Sequence, residues 1–132
     1  MGAQSNSHDH QVQILVVEDD VEMRALLVDA LTDEGYRVWP ARDGAEAAAK
    51  LAERSFDLMI TDMKMPQMDG MELLSVVKER GLSLPVIAIS AFFDEGPAAD
   101  ALRERAVTCL RKPLRIEELK SIVKTALHHP RR

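Results

Sequence analysis

"ILVVEDD", residues 14–20, sets four apolar residues directly against three carboxylates. The apolar run is short and continuous rather than alternating, which suits a strand covered on both faces. Three adjacent acids repel one another and resist leaving water. The charge must therefore begin where the strand leaves the core. A strand of this kind belongs to a parallel sheet, so the rest of the chain should supply crossover helices and further buried strands.

It does. Strands are predicted at residues 12–17, 36–41, 56–61, 84–90 and 107–110. The second is the weakest, because Pro40 lacks an N–H and should stand at its end. Helical patterns lie between them. Residues 21–35 put Met23, Leu27, Ala30 and Leu31 on one face, with Gly35 as the stop. "DGAEAAAKLAER" opens with Asp43 and Glu46 at capping-box spacing. Residues 70–80 should bury Leu73, Leu74 and Val77, and a short helix is expected within 95–104. A final helix over 115–127 aligns Ile116, Leu119, Val123 and Ala126. Five β–α repeats with right-handed crossovers make a doubly wound, three-layer α/β sandwich around a parallel sheet.

The chain has 132 residues, enough for one domain with a substantial core. Residues 1–11 read as a polar, flexible leader and 129–132 as a frayed tail, leaving 12–128 as the folded unit. The net charge of −5 argues against nucleic acid or an anionic membrane surface as the direct partner. No apolar run has the length of a membrane span. A single cysteine, Cys109, excludes an internal disulfide and fits a reducing cytoplasm.

In a doubly wound sheet the ligand site lies outside the carboxyl ends of the strands, at the switch point. Those ends carry Glu18, Asp19 and Asp20, then Thr61 and Asp62, then Ser90, and finally Lys112. Each has a plainer explanation on its own. Asp19, three residues before Glu22, has the spacing of a helix cap, and Asp62 could serve the turn ahead of Pro66. Ser90 could satisfy a backbone group, and Lys112 could be solvated. Their gathering at one sheet edge is what asks for chemistry. Converging carboxylates call for a cation, and hard oxygen ligands suit Mg²⁺. A cation, a lysine and a hydroxyl beside a carboxylate are what a transferring phosphoryl group requires, with Asp62 as the nucleophile.

"LVVEDD", "DLMITDMKMPQMDG", "PVIAISA" and "LRKP" together resemble the receiver domain of two-component response regulators, across residues 12–128. The resemblance implies a flavodoxin-like sheet of order 2-1-3-4-5. It implies that Asp62 accepts the phosphoryl group, that Glu18 and Asp19 hold Mg²⁺ with Asp62, and that the backbone carbonyl of Lys64 is a further ligand. Ser90 and Lys112 match the positions that contact the phosphoryl group, and the Lys112–Pro113 bond is expected to be cis. The implied donor is a phosphohistidine on a sensor histidine kinase or a histidine phosphotransfer protein, and the implied output is a downstream protein target.

Two positions depart from the pattern: Cys109 stands where an aromatic switch residue is usual, and Arg105 where glycine is usual. The coupling between hydroxyl and aromatic rotamer is accordingly not implied here. With no output domain after the receiver, a stand-alone receiver or a piece of a larger regulator is expected. By the resemblance, Lys64 and Phe92 border the path of a hydrolytic water, and small Ala91 leaves room for an incoming phosphohistidine ring; together they suggest slow self-dephosphorylation. An aspartate-dependent phosphatase is the alternative reading. It would need a second acid two residues after the nucleophile, where this chain has Lys64.

Overall fold

A computed structural model describes residues 11–65, 68–90 and 108–128. Residues 1–10 of the predicted leader, the tail, Pro66, the helix within 95–104, and Ala91, Phe92 and Arg105 lie outside the described residues. Five strands form one parallel sheet: β1 (Gln13–Val17), β2 (Arg37–Ala41), β3 (Leu58–Asp62), β4 (Val86–Ser90) and β5 (Thr108–Arg111). Their order is β2-β1-β3-β4-β5. The described helices are α1 (Val21–Asp33), α2 (Gly44–Glu53), α3 (Gly70–Glu79) and α4 (Ile116–His128).

Strand alternation divides the core in two. Ile14, Val16, Leu58, Ile60, Ile87 and Ile89 point to the face covered by α1 and α4, where they meet Leu27, Leu31, Leu119 and Val123. Leu15, Val17, Met59, Val86 and Ala88 point to the other face, against Ala47, Leu51, Leu73 and Val77 of α2 and α3. Every residue of β3 and β4 is buried, as expected for central strands covered on both sides. The helices present the predicted apolar positions: α4 buries Leu119, Val123 and Ala126, with Ile116 only partly covered.

β2 runs to Ala41 with Pro40 next to its end, in keeping with its sequence. It can do so because β2 is an edge strand and Pro40 is exposed there, so no ladder donor is lost. Asp43 caps α2 by accepting from the Glu46 amide, but the Glu46 carboxylate takes the Arg42 amide instead of closing the box. The complete capping box is at Asp69 and Glu72, at the start of α3. At the other end of α1, Gly35 is left-handed with φ 95°, and the Gly35 and Tyr36 amides bind the Thr32 and Leu31 carbonyls. That is the Schellman arrangement, and it turns the chain into β2. Among the described residues no helix is long and apolar enough to cross a membrane.

The loop after β3 is pinned by close backbone approach. The Gly44 amide donates to the Met68 carbonyl at 3.1 Å, and a Cβ at position 44 would lie 2.1 Å from that oxygen. Only glycine fits, and the start of α2 is thereby fastened to the segment leading into α3. Gly44→Ala should lower the free energy of unfolding by about 1–3 kcal/mol through this overlap. The readout is a lower urea midpoint at unchanged slope. An unaltered midpoint would mean that the loop yields without cost.

Candidate functional site

The charge that ends "ILVVEDD" is divided between two tasks. Asp20, not Asp19, caps α1: its carboxylate accepts the Met23 amide at 2.8 Å. The capping reading of Asp19 therefore falls away, and Asp19 stays exposed beside the strand ends. Glu18 turns the other way and is buried, 1% exposed. Its Oε2 accepts the Asp20 amide at 3.1 Å, while Oε1 has no hydrogen-bond partner.

Asp62 ends β3, immediately beside the carboxyl end of β1, with Val17 paired to Thr61. It too is buried, and its Oδ1 accepts the Lys64 amide at 3.3 Å. Carboxylate oxygens of Glu18, Asp19 and Asp62 lie within 4.8 Å of one another. Lys112 enters from the turn after β5 and is partly exposed. Its Nζ donates to Asp62 Oδ2 at 3.3 Å and stands 4.0 Å from Glu18 Oε1. The Lys112–Pro113 peptide is cis, and the Lys112 amide donates to the Ser90 carbonyl at 2.9 Å. Ser90 itself ends β4 and is buried. The structure thus brings Glu18, Asp19, Asp62 and Lys112 together, and places Ser90 at the end of the next strand from Asp62.

One ammonium among three carboxylates leaves the pocket negative. Burial pushes the Glu18 carboxyl up to about 7, and the charges of Asp62 and Asp19 push the same way. The Asp20 amide and the Lys112 ammonium pull it down without cancelling the effect. A hard divalent cation fits this donor set: it would satisfy the orphaned Glu18 oxygen and offset the excess charge.

Residues 14–124 match the family described as "Response regulator receiver domain". The chain belongs to this family. Receivers bind Mg²⁺ in an acidic pocket, and they interact with histidine kinases and downstream effectors. The chain is 39% identical over 121 residues to the transcriptional regulatory protein ZraR of Klebsiella oxytoca, covering 92% of this chain and 27% of ZraR. It is 36% identical over 116 residues to the DNA-binding transcriptional regulator NtrC of Escherichia coli K12, covering 88% and 25%. The chain thus spans about a quarter of the length of these curated relatives. Among solved structures, the receiver domain of the Francisella response regulator 1452 aligns with TM-score 0.81 and 27% identity, over 87% of this chain and 95% of that one. TrrA of Thermotoga maritima, in complex with Mg²⁺-BeF, aligns with TM-score 0.76 and 30% identity, over 87% and 98%.

One side-chain contact to the turn that carries the acids escaped the sequence reading. Arg24, in the first turn and a half of α1, donates from Nη1 to the Glu18 carbonyl at 2.8 Å. A signal existed, since a cation near a helix N-terminus opposes the helix dipole and asks for another partner.

The Glu18 environment has a pH signature. Its folded value near 7 exceeds its ordinary 4.5, so the folded state holds the proton more tightly. Glu18 therefore favours folding at low pH, and that advantage is lost as pH rises from 4.5 to about 7. Metal-free wild type should lose roughly 1–3 kcal/mol against Glu18→Gln across this window, measured by urea midpoints in EDTA. A gap between the two proteins that does not change with pH would contradict a water-poor Glu18.

Proposed function

We propose that this receiver accepts a phosphoryl group on Asp62 from a phosphohistidine, within a two-component phosphorelay. The observation that carries the proposal is the Asp62 carboxylate, buried at the end of β3 with an ammonium at 3.3 Å and two further carboxylates beside it. The donor would be a sensor histidine kinase or a histidine phosphotransfer protein, and the recipient of the signal a downstream protein. The folded unit would be residues 12–128, working in the cytoplasm.

In the reaction, an Asp62 oxygen attacks phosphorus, the P–N bond breaks, and its electron pair leaves with the imidazole. Lys112, already on Asp62, would follow the oxygens of the arriving group, and Ser90, at the end of β4, would donate its hydroxyl to another. Glu18, Asp19, Asp62 and the Lys64 carbonyl would hold Mg²⁺, which when bound supplies positive charge to the phosphoryl oxygens. The alignment with a receiver solved in complex with Mg²⁺-BeF supports Mg²⁺ as the cation. Lys112 would then link the modified Asp62 to the segment after β5, so that phosphorylation biases a conformational response.

Beyond its own phosphorylation and slow dephosphorylation we assign no catalysis. Lys64 is exposed at the position where an aspartate-dependent phosphatase needs an acid. A lysine there offers no carboxyl to act as a general acid or to orient a hydrolytic water.

Phosphorylation by a small acyl or amido phosphate in Mg²⁺, followed by mass spectrometry, should place one hydroxylamine-sensitive phosphoryl group on Asp62. Asp62→Asn should abolish it, because an amide is a poor nucleophile. Label persisting on Asp19 or Asp20 would refute the assignment. Asp19→Ala should weaken Mg²⁺ binding at least about tenfold, the cost of losing one charged ligand interaction, as read by calorimetry. Lys112→Ala should keep the metal while losing phospho-dependent binding of the target.

A further inference from the structure

The turn that carries Glu18 and Asp19 is short, and its two acids point in different directions. Glu18 goes into the core and Asp19 outward to solvent. Such a turn presents its carboxylates at a fixed spacing only if its backbone is held. One side is held by the sheet, since the Glu18 amide donates to the Ala41 carbonyl of β2 at 3.0 Å. The other is held by a side chain: the Arg24 guanidinium donates to the Glu18 carbonyl at 2.8 Å. The Arg24 amide also closes the first turn of α1 on the Asp20 carbonyl at 2.9 Å.

We infer that Arg24 is a positioning residue for the acidic pocket, a clamp from α1 that fixes the peptide plane between Glu18 and Asp19. The inference rests on the metal-binding reading given above. Three observations support it. The bond is charge-assisted and short, so it is among the stronger local constraints. Its acceptor is the carbonyl of the very peptide that joins the two acids, so a rotation there would move both carboxylates together. The Glu18 carboxylate in turn depends on the turn geometry, because its Oε2 is held by the Asp20 amide two residues on. Arg24 touches none of the carboxylates among its described bonds and acts through the backbone.

A purely structural role and a positioning role separate experimentally. Arg24→Ala and Arg24→Lys are compared with wild type by Mg²⁺ calorimetry, by thermal midpoint in EDTA, and by amide exchange in the metal-free protein. Loss of one charge-assisted bond should weaken Mg²⁺ binding about tenfold in Arg24→Ala, with Arg24→Lys recovering much of it. Exchange of the Asp20 amide should quicken by a similar factor in Arg24→Ala, since the carboxylate that binds it is no longer held in place. Unchanged Mg²⁺ affinity in Arg24→Ala would overturn the inference. So would a loss of affinity that Arg24→Lys fails to recover and that follows the thermal midpoint alone. If wild type itself took up no Mg²⁺, the proposed function would fail, and Asp20 exchange would then decide the clamp by itself.

Discussion

A parallel sheet covered on both faces has no place for charge along its strands, so charge is driven to their ends. In β3 and β4 every residue is buried, and the first polar side chains with chemistry to offer are the last ones, Asp62 and Ser90. In β1 the acids begin one residue past Val17. The ladder then fixes how these ends stand relative to one another. Val17 pairs with Thr61, Asp62 with Ile89, and Ser90 with Arg111. Residues far apart in the chain are brought to one edge by main-chain hydrogen bonds alone, before any side-chain interaction is counted.

The same arrangement makes the pocket electrostatically incomplete. Glu18 lies almost wholly out of water with one oxygen unsatisfied, an expensive state for an ionised carboxylate. Lys112 faces both Glu18 and Asp62, yet a single ammonium cannot offset three carboxylates. The packed core on both faces of the sheet sustains this imbalance. An unsatisfied, negative site of this kind holds its free energy in reserve for a cation and for the phosphoryl chemistry of the receiver family.

Geometry at this edge comes from backbone fastening on two flanks. The turn after β1 is held by the Ala41 carbonyl and by Arg24, and the loop after β3 by the contact of Gly44 with Met68. The Ala41 and Gly44 contacts join elements that are not neighbours in sequence, and Arg24 reaches back from the helix that follows the turn. The pocket can thus keep carboxylates within 4.8 Å of one another although they repel.

The sequence by itself determined the class of fold and which chemically active residues end the strands. Continuous apolar runs such as "ILVV" and "VIAI" can be buried on both faces only as strands of a helix-covered parallel sheet, and the polar residues that end them mark the ligand edge. Glu18, Asp19, Asp62, Ser90 and Lys112 were legible for that reason. Where two local rules competed, the sequence left the choice open. Asp19 had the spacing of a cap, yet in the structure the cap of α1 is Asp20, with Leu27 and Leu31 of that helix packed on the sheet. Pro40 sits inside β2 because β2 is an edge, and being an edge is a property of the whole sheet. Arg24 is marked in the sequence only as a cation near a helix N-terminus, because its partner is a backbone carbonyl and carbonyls carry no mark there. Periodicity and charge are local and can be read along the chain. Which backbone group stands opposite which side chain depends on how the layers pack, and only the tertiary structure decides it.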